Sequence, residues 1–442
     1  METQVAADRQ KGMQGLFWPT LAILIGSFIS ILNITIVNIV IPEIMAAFGA
    51  NVDRVKWVIT SYMVSQAVLM PMVGWLGRSV GNRNLYILSL GMFSVGAVLC
   101  GMAWDIDSLI LFRVIQGIGG GIIYPLSLAI IIDIFPEERR GTGIAIWMLS
   151  ASVGSSIGPT LGGFLTESLN WRLAFYAIVP VAVLAMIMTS LLFPGEARRP
   201  AGRFDVPGFF TMAVFIIALL IALSQGQTEG WGSDYIVRLL VIFGVAFAAF
   251  IIVELRNSDP LIDVRLAGDR YFGAALIINF LVGIGLYGTN FLVPIFMQNL
   301  MDYSVLKTGI AMIPGSLIAI PSNYFGGWLT DRTDLKLPLF LGLFLWALFV
   351  YVFGQLDLRV TFLAIVMILL IRGVGLGLSA PPMMAGALIN LPLAKTRMAS
   401  GILSLNLTLG GMFGIAILGT MLESRQLVHF ASYAQHQDPS SY

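Results

Sequence analysis

Charge is scarce in this 442-residue sequence. Only 11% of its residues are Asp, Glu, Lys or Arg, where a soluble domain spends about a quarter. With 57% of residues hydrophobic and a mean hydropathy of +0.88, a single water-facing core could not bury so much apolar surface. Cysteine is nearly absent: Cys100 stands alone in an apolar stretch, so no internal disulfide can form. The two histidines, His429 and His436, both lie in the polar C-terminal tail, which leaves no ligand set for a metal. The net charge of +1 lacks the basic excess that nucleic acid attracts. No nucleophile–base pair stands out, so an enzyme is disfavoured, and no cofactor is expected.

What the sequence has is long uncharged runs. Those at 12–42, 57–77, 84–104, 141–166, 173–195, 206–228, 271–301, 308–330, 337–356 and 398–422 each reach the length of a membrane-spanning helix. Three further runs carry one arginine: 108–132 with Arg113, 360–394 with Arg372, and 235–253 with Arg238 near one end. Arg238 can snorkel to the interface. The expectation is an all-α polytopic membrane protein with thirteen transmembrane helices and the lipid bilayer as its partner. The first run is too long for a signal peptide and no cleavage site follows it, so it reads as retained. With the N-terminus cytoplasmic and the loops alternating, 16 of the 25 Lys and Arg fall on cytoplasmic segments and seven on external ones. The remaining two are Arg113 and Arg372. This asymmetry fits the positive-inside rule and places the C-terminus outside.

A weak internal repeat follows. "GWLGRSVGNR" at 74–83 returns as "GWLTDRTDLK" at 327–336, an offset of 253, and "IQGIGGGIIYP" at 115–125 as "IRGVGLGLSAP" at 371–381, an offset of 256. Pro42 matches Pro294 at 252, and Gly154 and Gly158 match Gly410 and Gly414 at 256. Four matches in chain order predict two pseudo-symmetric helix bundles, residues 1–193 and 271–424, around an inserted helix pair at 194–270, with a polar tail at 425–442. The second bundle then has five helices to the first one's six, as expected of a 14-helix design lacking its last helix.

The fifth run contains "VGSSIGPTLGGF". Gly154, Gly158 and Gly162 are spaced i, i+4, i+8 and form a stripe on which a second helix can lie backbone to backbone. Pro159 removes a hydrogen bond and bends the helix. A tightly packed, kinked helix without a transport role satisfies the same pattern. Arg113 and Arg372 are the costly residues, because a charge within a span is expensive and usually faces a polar interior. Arg113 could equally serve only to bond carbonyls or neighbouring helices. Gln116 lies one turn along the same face.

Together these motifs resemble the major facilitator superfamily, in its 14-helix drug/proton antiporter branch, most closely the Emr-type permeases. "VGSSIGPTLGG" is similar to the antiporter motif of its exporters, here Gly154, Gly158, Pro159, Gly162 and Gly163. "LNITIVNIVIP" at 32–42 resembles the branch's first-helix signature, and "RVIQGIGGG" its fourth-helix motif. The loop motif is represented by Gly74, Arg78, Gly81 and Arg83, and in the second copy by Gly327, Asp331 and Arg332.

The resemblance implies a multi-pass protein of the cell (inner) membrane that exports small amphipathic, drug-like molecules by alternating access in exchange for protons, with a membrane-fusion adaptor as partner. It assigns Arg113 to substrate and proton coupling. The expected cavity residues are Asn33, Asn38, Tyr62, Gln66, Arg113, Gln116, Tyr124, Asn290 and Arg372. Two departures stand out. Asn33 occupies the place of a family aspartate and cannot carry a proton, and no Asp or Glu lies at mid-membrane: Asp133, Glu43 and Glu254 sit near helix ends. Arg78 replaces the loop aspartate, so the gating contact with a helix N-terminus is expected to fall to Asp331. A non-transporting sensor or a degenerate, uncoupled carrier is the alternative.

Overall fold

The computed structural model describes residues 2–136, 139–168, 170–194, 204–257, 260–357 and 359–436. Arg198, Arg199 and Arg203 of the loop at 195–203 lie outside the described residues, as do the side chains of Pro42, Pro159, His429 and His436. The described residues contain helices and no strand.

The chain runs through α1 (Glu2–Phe48), α2 (Val52–Leu69), α3 (Val73–Val80), α4 (Asn82–Gly101), α5 (Ile106–Ile134), α6 (Arg140–Ser168), α7 (Leu173–Tyr176) and α8 (Ile178–Leu192). It continues through α9 (Val206–Glu229), α10 (Asp234–Arg256), α11 (Arg270–Ile295), α12 (Val305–Arg332), α13 (Lys336–Gly354), α14 (Phe362–Leu388) and α15 (Leu393–His436). A short 3-10 turn, Met70–Met72, with Pro71 in it, joins α2 to α3 as one span. Gly81, at φ +85°, turns the chain from α3 into α4. Asp105 and Ser108 form a reciprocal capping box that starts α5.

Among the described residues, twelve spans are long and apolar enough to cross a membrane. Each of the thirteen expected runs lies on helix. The remaining stretch, 308–330, is helical within α12, but Pro314, Pro321, Ser316, Ser322 and Asn323 leave it short of the apolarity of the others. Packing accounts for its polar residues, because α12 lies between α14 and α6. Ser322 donates to the Ile318 carbonyl at 2.7 Å, and Asn323 to the Ser152 hydroxyl at 3.4 Å.

The packing plan repeats. In the first half α1 lies on α6, and α2 and α4 flank α5; in the second, α11 lies on α15, and α12 and α13 flank α14. Glycines set the close approaches. A Cβ on Gly119 would lie 2.5 Å from the Phe93 nitrogen of α4, and one on Gly121 2.5 Å from the Gln66 carbonyl of α2. The matched Gly375 and Gly377 meet Trp346 of α13 and Ser322 of α12 in the same way. In a bilayer, where lipid is as apolar as leucine, such contacts hold helices together by dispersion.

α9 and α10 pack on each other, and α9 also reaches α2 and α15. Lys56 and Thr60 of α2 bond Thr228 and Ser224 at 2.7 and 2.8 Å. Trp231, just beyond α9, donates to Thr420 of α15 at 2.9 Å.

Candidate functional site

Arg113 is almost completely buried, at 1% exposure. Its Nη1 donates to Asn33 Oδ1 of α1 at 2.8 Å and to Gln116 Oε1 at 2.7 Å, and its Nε to the Val58 carbonyl of α2 at 2.9 Å. The guanidinium lies 4.1 Å from the centroid of the Tyr62 ring. Three helices thus meet at one cation, and its partners are two amides and a carbonyl, none of them a carboxylate. Bonds to a charged group are worth about 1.5–3 kcal/mol each, and the aromatic face adds to them. Asn33 Nδ2 and Gln116 Nε2 are buried without a partner, so donors are in surplus around the cation.

Arg372 is placed differently. It is only half-buried, donates from Nη2 to Asn290 Oδ1 of α11, and lies 6.0 Å from the Phe349 ring centroid. The residue that matches Asn33 at the repeat offset is Gly285, and a Cβ there would lie 2.8 Å from the Trp346 indole. An aromatic ring therefore fills the place of the amide.

The nine expected cavity residues separate into groups. Asn33, Tyr62, Arg113 and Gln116 form the first cluster, Asn290 and Arg372 the second. Gln66 donates to the Gly120 carbonyl at 3.4 Å, Tyr124 packs on Trp147 with ring centroids 4.5 Å apart, and Asn38 is exposed. The first cluster is closed in this conformation. A cavity of about 440 Å³ lies elsewhere, where Asn51, Arg54 and Trp57 at the start of α2 face Gln225 and Glu229 of α9 and Tyr235 of α10. Tyr287 of α11 was not anticipated; its ring lies against Gly411 of α15, 2.5 Å from where a Cβ there would sit. A lone tyrosine in an apolar run gives no signal of this in sequence.

The glycine stripe of α6 lies on α1. A Cβ on Gly154 would be 3.0 Å from the Phe28 carbonyl and one on Gly162 3.3 Å from that of Ile36, while one on Gly158 would collide with Thr35. Gly163 has open space instead. Gly410 and Gly414 of α15 meet Phe280 and Ile284 of α11 in the same manner.

At one end of the molecule the halves touch through the loop motif. The Asp331 carboxylate accepts from the Thr142 N–H at 3.2 Å and from its hydroxyl at 2.7 Å, in the first turn of α6. Backbone N–H groups there have no helical partner and the helix dipole favours an anion. Gly327 comes against Gly141 and Ala145, with a Cβ 2.7 Å from the Gly141 carbonyl. The matched Gly74 comes against Met398 of α15, 3.0 Å from its Cβ. Arg83 instead turns aside and donates to the Ser190 carbonyl at 2.7 Å. Arg332 lies with its guanidinium 4.6 Å from the Trp328 ring centroid, and Arg78 occupies the last turn of α3.

Comparison with known proteins supplies the family context. The Major Facilitator Superfamily profile matches residues 23–415. The chain is 31% identical to the Bacillus subtilis "Multidrug transporter protein MdtP" over 91% of its own length and 74% of that protein. It is 28% identical to the Escherichia coli "Multidrug export protein EmrB" over 98% of its own length and 85% of that protein. A solved structure, the human organic anion transporter MFSD10 (TETRAN), matches 90% of this chain and 92% of its own with a TM-score of 0.67 at 15% identity, a likeness of fold.

Proposed function

The chain belongs to the major facilitator superfamily, and from that premise we propose that it is a secondary exporter of small amphipathic, drug-like compounds. Residues 1–193 and 271–424 are the two bundles that rock about a midplane site, and 194–270 is the inserted pair. The N-terminus is cytoplasmic, in the cell (inner) membrane, and the end closed by Asp331 and Gly74 is the cytoplasmic gate. Multidrug exporters among the relatives support the substrate class.

The observation that carries the reading is the Arg113 cluster. A guanidinium held by two amides with idle donors is a poor purely structural device, because each idle buried donor costs about 1–3 kcal/mol. It is a ready site for an acceptor group on an amphipathic molecule. The test is efflux of a fluorescent amphipathic dye from loaded proteoliposomes. Wild-type protein should empty them and Arg113→Ala should not; no dye movement with the wild type would favour the non-transporting reading.

A second reading concerns coupling. Asn33, where an acid is expected, cannot titrate, and Arg113 bonds only amides and a carbonyl. This favours a weakly coupled or uncoupled carrier over strict proton antiport through the first helix.

A further inference from the structure

The spans of this chain carry positive charge and nothing to balance it. Its thirteen long apolar runs contain three arginines and no Asp, Glu or Lys. Arg238 lies near one end of its run, whereas Arg113 and Arg372 lie well inside α5 and α14. Arginine holds its proton at any ordinary pH. Among the described residues neither Arg113 nor Arg372 makes an ion pair; their partners are amide and carbonyl oxygens. Because the runs themselves contain no acid, sliding or tilting the helices brings no carboxylate to either arginine unless a loop is drawn into the membrane. A buried charge without a counter-charge is costly, so this imbalance calls for an explanation.

Hydrogen bonding points the same way as charge. Asn33 Oδ1 and Gln116 Oε1 both accept from Arg113 Nη1, and Gln116 Oε1 also accepts from the Cys100 thiol at 3.7 Å. These bonds fix how the two amides face, with oxygens toward the cation and NH2 groups turned away from it. Asn33 Nδ2 and Gln116 Nε2 are left buried without an acceptor, and Arg113 Nη2 enters no hydrogen bond. In the second half Arg372 Nη2 donates to Asn290 Oδ1, and its Nε is buried without a partner. The buried atoms left idle on the two arginines and their amide partners are therefore all donors. Beside them the Tyr62 ring, 4.1 Å from the Arg113 guanidinium, supplies an apolar face.

We propose that the Arg113 cluster selects amphipathic anions, an aromatic or aliphatic body carrying a carboxylate, sulfonate or phenolate, and rejects organic cations. For transport this rests on the exporter reading above, to which it adds the sign of the substrate's charge. An anion that reaches Arg113 gives the idle donors an acceptor through charge-assisted bonds and cancels the unbalanced charge. Its body can lie against Tyr62. A cation gains neither benefit. The amide oxygens that could receive it already serve Arg113, and the guanidinium repels it through a medium that screens poorly. Arg113 is 1% exposed here, so the anion meets it when the helices around it part.

The experiment uses two dansyl probes of matched size, one ending in a glycine carboxylate and the other in an ethyltrimethylammonium group. Binding to the purified full chain is read from dansyl fluorescence. Wild-type protein should bind the carboxylate probe at least about tenfold more tightly than the ammonium probe. Arg113→Gln should bring that ratio close to one; a purely structural arginine would weaken both probes alike and leave the ratio where it was. Asn33→Asp keeps the arginine, guards against a misfolded Arg113→Gln, and should also lower the ratio by placing a carboxylate in the cluster. Equal affinity for the two probes in wild type, preference for the ammonium, binding of neither, or a ratio unmoved by Asn33→Asp would each overturn the proposal. Efflux of both probes from loaded proteoliposomes is followed in parallel. Tight carboxylate binding without export rejects the exporter reading and leaves the charge preference standing. Export of the ammonium probe alone keeps the exporter reading and overturns the anion assignment.

Discussion

Arg113 and Arg372 occupy nearly matched places in two halves packed to one plan, yet their surroundings have little in common. In the first half the arginine is closed off from solvent, ties α5 to α1 and to α2 through one hydrogen bond each, and makes a third to Gln116 within α5. In the second it is half-buried and holds Asn290 of α11. Glycine contacts between helices were retained in both halves, while the polar group beside the arginine was replaced by Gly285 and Trp346 in one. The scaffold is symmetric and the chemistry is not. A repeat can keep its backbone spacing with small residues alone, whereas a buried charge needs every partner in place.

The largest effect that tests this contrast is Arg113→Ala. It leaves Asn33 Oδ1 without its donor, at about 1–3 kcal/mol, removes a bond each from Gln116 Oε1 and the Val58 carbonyl, and should abolish dye efflux and lower the melting temperature of the purified protein. Arg372→Ala loses its hydrogen bond to Asn290 and should retain measurable efflux; equal loss in both variants would remove the asymmetry. Arg113→Lys should recover little, because an ammonium cannot reproduce a planar fork that serves three acceptors on two sides.

Next comes the stripe. Gly158→Leu drives a side chain into Thr35 and should cost roughly 1–3 kcal/mol in stability or block transport. Gly414→Leu should behave alike in the second half, since it meets the Ile284 backbone. Gly163→Leu, facing open space, should be silent in both melting and efflux. A harmful Gly163→Leu beside a harmless Gly158→Leu would mean that α6 presents a different face.

A smaller effect is expected at the gate. Asp331→Asn keeps a hydrogen-bonding group but removes the charge at the start of α6, which is worth about 0.3–1 kcal/mol. Cross-linking between cysteines placed on α6 and α12 at that end should slow modestly. If it does not change, the contact is incidental to closure.

The smallest and most specific is Asn33→Asp. It puts a carboxylate where Asn33 Oδ1 now accepts from Arg113 at 2.8 Å. Efflux driven by an imposed pH gradient should respond more strongly than in the wild type. Strong proton-driven accumulation by the unaltered protein would instead send the search for coupling to Asp133 and Glu43.

Much of this molecule was determined by sequence alone, for reasons of solvent. Long uncharged runs and the scarcity of charge require helices in lipid whatever their neighbours are, because each helix satisfies its own backbone. Hence the all-α class and most of the spans were legible, as were the repeat and its family. Apolarity is weakest at 308–330, where protein contacts replace lipid and permit two prolines and an asparagine. The stripe at Gly154, Gly158 and Gly162 could be read as a packing face, but not that α1 is what covers it.

What tertiary structure decided is which polar groups meet. Sequence put Asn33, Asn38, Tyr62, Gln66 and Arg113 in one group by residue type; the fold brings Asn33, Tyr62 and Arg113 together and leaves Asn38 exposed. Glu254 reads in sequence as an ordinary helix-end acid, and only the fold sets it and Asp205, 49 positions earlier, on either side of Gly208. Hydropathy is a property of each segment by itself, summed along the chain. The state of a charge depends on atoms a few ångströms away, and in a helix bundle those come from other helices.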